Sequence, residues 1–145
     1  MSRRDMLAWG ATAAVAVPVF GIGGLVSVRA VQANIVEQDL SRLGTGTPSI
    51  VQVHDPGCAL CGQLQRQTRR VLRAFDSDAY TYLVAHLTNP EGAAFASKYG
   101  AGRITLLLFD PKGRHVGSVV GPLESDVLNR EIEAHLRRYR VLRSS

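Results

Sequence analysis

The stretch from Ile50 to Cys61 constrains the fold of this chain more than any other. Its first four residues, Ile50-Val51-Gln52-Val53, are β-branched apart from Gln52, which predicts a central strand covered on both faces. Asp55-Pro56-Gly57 then predicts a turn, since Pro lacks a donor and Gly tolerates any turn geometry. The residues that follow predict a helix, because apolar or small positions recur at helical spacing: Leu64, Thr68, Val71, Leu72 and Phe75.

The two cysteines of the chain are both placed at the start of that predicted helix. Unpaired N–H groups and the helix dipole favour a thiolate at Cys58, and Cys61 lies one turn on, where its sulfur could close a disulfide. An inert disulfide or two buried thiols are the alternatives. Because both cysteines are used at this one point, redox or metal chemistry is the favoured interpretation.

Residues 1–33 predict an export signal or membrane anchor. Ser2-Arg3-Arg4 precedes 23 uncharged residues, Met6 to Val28, which is long enough to cross a bilayer. Val31-Gln32-Ala33 then offers a small-residue cleavage site. The pattern resembles a twin-arginine signal, with Met6 in place of its Phe. An ordinary secretory signal and an uncleaved anchor are alternatives, and each would place the rest in the periplasm or cell envelope.

The remainder of the chain is long enough for one domain. Residues 34–48 predict a short helix and linker, and residues 49–145 predict a single core. From residue 34 onward the chain has 14 Lys or Arg against 11 Asp or Glu, a net charge of +3. Aromatic residues do not alternate with the basic ones, so a nucleic-acid surface is not expected. Membrane contact is expected only through an uncleaved leader.

The pattern downstream of the cysteine helix predicts alternating strands and helices. A helix between the first two strands makes them parallel, and Asp110-Pro111-Lys112-Gly113 makes the last two strands a hairpin. The expected elements are a strand at 80–87, a turn at 88–92, a helix at 93–99, strands at 104–109 and 115–120, and a helix with Ser125 as N-cap.

This order of elements, with two cysteines after the first strand, resembles the thioredoxin family over nearly the whole chain after the leader. The other matching segments are Asn89–Gly100, Thr105–Phe109 and Val120–Leu123. The resemblance implies an α/β fold with a central mixed four- to five-stranded sheet and helices on both faces. It also implies a redox-active disulfide without a cofactor, in which Cys58 attacks as catalytic nucleophile and Cys61 resolves.

The chain departs from the family pattern at the proton-handling positions. Gln52 stands where the family has a buried acid, and His86 stands where the acid's Lys partner would be. Gln cannot accept a proton, whereas His titrates near neutral pH. One hypothesis is that His86, together with Gln52, forms a proton relay for Cys61, provided that its strand lies beside that of Gln52. The alternative is a core histidine that is simply hydrogen-bonded to Gln52.

Two more departures lie around the cysteines. Ala59 and Leu60 replace the family's Gly-Pro, so the family's redox potential cannot be transferred. Ile104 aligns with the family's cis-proline, and since a cis bond before a residue other than proline costs about 3 kcal/mol, the Arg103–Ile104 bond is predicted to be trans. Arg103-Ile104-Thr105 is the expected substrate loop.

Together these features predict an exported thiol-disulfide oxidoreductase. Its expected partners are cysteine-containing envelope proteins and a membrane electron donor or acceptor. One alternative is a metal or iron-sulfur protein with His54, Cys58 and Cys61 as ligands. The other is a non-catalytic docking domain with a structural disulfide.

Overall fold

A computed structural model describes residues 28–143, with side chains described as far as residue 140. The predicted leader therefore lies outside the described residues, except for its last six positions. The chain divides into two units, Met1–Val36 and Glu37–Ser145. Residues 28–38 are helical (α1). Within the described range, no helix is both long enough and apolar enough to cross a membrane.

One four-stranded mixed sheet forms the centre of the second unit, with the strand order β2-β1-β3-β4. β2 runs parallel to β1, and β3 runs antiparallel to both β1 and β4. Every residue of β1 is buried, as expected for a β-branched strand with neighbours on both sides. The predicted mixed sheet is thus confirmed, with these strands: β1 Ser49–His54, β2 Thr81–His86, β3 Thr105–Phe109 and β4 His115–Val120.

Helices cover both faces of the sheet, as predicted: α2 (Ala59–Leu72), α3 (Pro90–Lys98), α4 (Ser125–Arg143) and a 3-10 turn (Leu40–Arg42). One core joins α2 and α4 to Ile50 of β1 through Leu64 and Leu128. The other core joins Ala96 of α3 and the 3-10 turn to Val51. Alternate side chains of β1 therefore enter two separate cores.

α3 begins at Pro90, three residues before the predicted start at Ala93. Proline is tolerated at the first helical position because its missing N–H would have had no partner there. Gly92 lies directly on the end of β2: a Cβ atom at this position would be 2.2 Å from the carbonyl oxygen of His86. The segment predicted as a turn is thus the first turn of a helix packed against the β2 backbone.

The start of α4 also differs from the sequence-based expectation of Ser125 as N-cap. Ser125 is the first helical residue, and its hydroxyl accepts a hydrogen bond from Gln67 of α2 at 3.0 Å. His135 is buried, and its Nε2 contacts the carbonyl oxygen of Ser49 at 3.3 Å. These two polar contacts connect α4 to α2 and to β1.

The free energy of unfolding is expected to fall as the pH drops below about 6.5, the pKa of histidine in an unfolded chain. Burial lowers the pKa of His54, His86 and His135 in the folded protein. Between 6.5 and these lower folded pKa values, the unfolded chain binds more protons than the folded one. The contribution of the neutral, buried histidines to the free energy of unfolding is therefore complete above this pH range and is lost as the pH falls through it. Urea unfolding between about pH 5 and pH 7.5 measures the dependence.

The variant His135→Gln tests the contribution of His135 to this pH dependence. Glutamine keeps a donor for the Ser49 carbonyl but does not titrate. Each proton bound only by the unfolded chain contributes at most about 1.4 kcal/mol per pH unit, so the slope should decrease in the variant. A slope equal to that of the wild type would contradict the role assigned to His135.

Candidate dithiol site

A turn after β1 places Cys58 at the start of α2. The Asp55 carboxylate accepts the N–H of Gly57 at 2.9 Å, and the Asp55 carbonyl accepts the N–H of Cys58 at 3.0 Å. Cys58 is the N-cap of α2, and its Sγ accepts the backbone N–H of Cys61 at 3.2 Å. The prediction that Cys58 lies at a helix N-terminus is confirmed. Its sulfur takes the place of the oxygen that usually satisfies a free N–H at this position.

The two cysteines are free thiols in different environments. A hydrogen bond from the Cys61 side chain lowers the pKa of Cys58, as do the backbone N–H of Cys61 and the nearby Arg103 cation. Burial raises the pKa of Cys61, and so does its hydrogen bond to Cys58. Cys58 is partly exposed, whereas Cys61 is completely buried. Cys58 is therefore the thiol that ionises first and the one that solvent reaches.

The loop before β3 lies against the two cysteines. The Arg103 guanidinium is 3.5 Å from the Asp55 carboxylate, and its side chain is 62% exposed. The backbone N–H of Ile104 faces Cys61 and opposes the rise in its pKa. Thr105 is buried as the first residue of β3. Of the expected substrate loop, Arg103 and Ile104 therefore lie beside the sulfurs, and Thr105 belongs to the sheet.

Comparison with solved structures gives the fold. An uncharacterized thioredoxin-like protein from Clostridium perfringens is 18% identical, with a TM-score of 0.57 over 68% of this chain and 78% of that one. A mutant thioredoxin from Halobacterium salinarum is 22% identical, with a TM-score of 0.53 over 73% of this chain and 84% of that one. The chain has a thioredoxin-like fold. No protein-family model and no curated protein sequence matches it.

Ile104 is a strained residue in this thioredoxin-like domain. Its φ is 61°, in the left-handed region that a β-branched side chain rarely occupies, at a cost of about 1–3 kcal/mol. The Ile104 carbonyl accepts the N–H of Gly121 at 2.9 Å, which holds the loop against β4. Among the described residues the cis peptide bond is Gly121–Pro122, so the prediction of a trans bond between Arg103 and Ile104 is confirmed.

Gln52, a member of the predicted proton relay, hydrogen-bonds to the backbone of α2. It is completely buried, and its Nε2 donates to the Cys61 carbonyl at 2.9 Å. Its Oε1 accepts the hydroxyl of Tyr82 at 2.8 Å, and burial raises the pKa of Tyr82 so that the phenol stays protonated. Tyr82 was missed by sequence reasoning, although it stands two positions before the β2 residue opposite Gln52. The hydrogen bond from the Tyr82 hydroxyl to Oε1 fixes the orientation of the Gln52 amide, so that its Nε2 faces the Cys61 carbonyl.

Among the described contacts, no hydrogen bond joins His86 to Gln52, as the core-histidine alternative would require. The contact belongs to His54, whose Nδ1 lies 3.5 Å from the Gln52 Nε2. His86 is paired with His54 across the parallel strands, and the two ring centroids are 5.2 Å apart at an interplanar angle of 82°. Within the described contacts, nothing joins His86 to the Cys61 sulfur. The predicted relay therefore has no direct contact in this structure.

The metal-binding alternative is not supported by the geometry of the described residues. Among them, no group of three or more His, Cys, Asp or Glu side chains is placed to hold a metal ion. His54 ends β1 on the same face as Gln52 and contacts Gln52 and His86. Cys58 and Cys61 follow only after the turn at Asp55. The structure thus does not bring His54 together with the two sulfurs.

Proposed function

We propose that this protein is a thiol-disulfide oxidoreductase in which Cys58 is the nucleophile and Cys61 the resolving thiol. The observation that carries the proposal is the asymmetry of the pair. Cys58 is accessible and has a lowered pKa, whereas Cys61 is buried and has a raised pKa. A thiolate is the attacking species in disulfide exchange, so this difference assigns the order of attack.

The exchange proceeds in two steps that balance in electrons and protons. In the reducing direction, the Cys58 thiolate attacks a client disulfide, and the client's S–S bond breaks to release one client thiolate. Cys61 then loses its proton and attacks the Cys58 sulfur, which closes the Cys58–Cys61 disulfide and releases the second client thiolate. Two electrons pass to the client, and its two thiolates take up two protons from water, which received one proton from Cys61 and one when the Cys58 thiolate formed. The oxidising direction is the reverse.

The clients in this proposal are cysteine-containing proteins of the cell envelope. The twin-arginine-like pattern at residues 1–33 supports export. Leu60 lies between the two cysteines and is 42% exposed, which provides an apolar contact for a polypeptide beside Cys58. Outside the cytoplasm, turnover further requires a membrane electron donor for reduction or an acceptor for oxidation.

A redox titration of the full-length protein tests the proposed function. Free thiols are mass-tagged after equilibration in buffers of defined potential. We expect a reversible two-electron transition with a midpoint between about −270 and −120 mV, the range of thioredoxin-like catalysts. The variant Cys61→Ser is the control and should show no intramolecular transition. Thiols that stay free, or stay blocked, across the whole range would overturn the proposal.

A further inference from the structure

We propose that a groove beside α2 is a binding site for a phosphate group. The groove has a volume of about 390 Å³ and lies within the second unit. We call it the arginine groove; its lining includes Glu37, Arg42, Arg69, Arg73, Ser77 and Tyr80. Arg69 lies eleven residues after Cys58, or about 16 Å along the helix axis, so this site is separate from the dithiol.

The arginine groove has an excess of positive charge. Arg69 of α2 and Arg73, the C-cap of this helix, are four residues apart, and Arg73 has helical backbone dihedrals, so the two side chains project from the same face. Arg42 lines the groove from the 3-10 turn. The groove is also lined by the carboxylate of Glu37, which forms an ion pair with Arg69. The lining side chains thus include three guanidinium groups and one carboxylate, a formal charge of +2.

Glu37 does not satisfy the guanidinium of Arg69 completely. The Nε of Arg69 is buried and has no hydrogen-bond partner within the described part of the chain. Burying a donor of a charged group without an acceptor costs free energy. A second anion near the guanidinium reduces the electrostatic part of that cost. The ion pair with Glu37 therefore compensates the Arg69 charge only in part, and an additional anion in the groove would be stabilised.

Hydroxyl donors and apolar residues complete the arginine groove. Ser77 and Tyr80 line it, and burial together with the Glu37 charge raises the pKa of Tyr80. The phenol therefore stays protonated and can donate. Leu72 and Tyr82, both largely buried, also line the groove, and apolar walls strengthen the attraction between an anion and the guanidinium groups.

The combination of charge and donors fits a phosphate group better than a carboxylate. A phosphate monoester carries a charge near −2 at neutral pH and presents three terminal oxygens. Those oxygens can pair with several guanidinium forks and a hydroxyl at once, whereas a carboxylate has two oxygens. A soluble phosphate ester and a phospholipid headgroup share this chemistry.

Calorimetric titration and vesicle binding test the arginine groove in the full-length protein. The first arm uses glycerol phosphate, and the second compares phosphatidylglycerol vesicles with phosphatidylcholine vesicles. Arg73→Gln should weaken binding about tenfold, because one charge-assisted contact is lost. Arg70→Gln removes the same charge from an exposed position of α2 outside the groove, and it should change the affinity by less than about twofold.

The two titrations distinguish a soluble phosphate ester from a lipid headgroup. Saturable binding of glycerol phosphate that is weakened by Arg73→Gln supports a soluble ligand. Vesicle binding that is weakened by Arg73→Gln, without binding of glycerol phosphate, supports a lipid headgroup. Equal losses in Arg73→Gln and Arg70→Gln, or no dependence on Arg73 in either arm, would overturn the proposal. Arg42→Gln serves as a second groove variant if Arg73→Gln lowers the thermal midpoint.

Discussion

Replacing Cys58 with serine is expected to slow thiol-disulfide exchange by at least about 10³-fold, because the nucleophile is lost. Serine has nearly the same size, but its hydroxyl does not ionise at working pH. Cys61 cannot substitute for it, since it is fully buried and its pKa is raised. The measurement is the rate at which the reduced full-length protein reduces a peptide disulfide.

The matched variant Cys61→Ser is expected to give a different defect. Cys58 stays accessible and keeps the N–H of residue 61 as a hydrogen-bond donor to its sulfur, so the first attack proceeds. The resolving thiol is missing, and a mixed disulfide between Cys58 and the peptide should accumulate. Mass spectrometry detects this adduct. Rapid exchange by Cys58→Ser, or an adduct on Cys61 in wild-type protein, would contradict the assigned roles.

The parts of the site that depend on local sequence could be predicted. The β-branched residues of β1, the turn at Asp55-Pro56-Gly57 and the helical periodicity after Cys58 act within a few residues of one another. The position of Cys58 as N-cap follows directly from where the turn ends and the helix begins. The difference in exposure between the two sulfurs also follows, because Cys61 is one turn further into a helix that packs on the sheet.

The hydrogen bond between Gln52 and Tyr82 could not be predicted from sequence, because it depends on the register of β1 and β2. β2 pairs with β1 so that Val84 is opposite Gln52 and His86 is opposite His54. A change of two residues in the register would place His86 beside Gln52 instead. Nothing in the two strand sequences distinguishes these registers, since both keep polar side chains on the same face. In the observed register the partner of Gln52 on β2 is therefore Tyr82.

The backbone of Ile104 could not be predicted for a different reason. Positive φ angles are predicted from Gly, Asn or Asp, and isoleucine is among the residues least expected there. The conformation is set by contacts distant in sequence, namely the hydrogen bond from Gly121 and the packing of the Ile104 side chain against the core. The strained backbone turns the N–H of Ile104 towards Cys61, which connects the loop to the dithiol.

Gly92→Ala is expected to destabilise the protein by at least about 3 kcal/mol, although alanine normally stabilises a helix. The added Cβ would lie 2.2 Å from the carbonyl oxygen and 2.6 Å from the nitrogen of His86. Both atoms belong to the backbone of β2, which is hydrogen-bonded to β1, so they cannot move aside as a flexible side chain would. Either α3 must separate from the sheet or the end of β2 must shift. Urea unfolding measures the loss.

Gly62→Ala is the matched control, since Gly62 also lies within a helix. A Cβ at residue 62 would meet the end of the Arg66 side chain at 3.5 Å, an ordinary contact with a flexible group. Without a clash, the gain in helix propensity should stabilise the protein by up to about 1 kcal/mol. The two substitutions are chemically identical, so opposite signs would show that the approach of α3 to β2 decides the result. A stability of Gly92→Ala equal to or above that of the wild type would refute this packing.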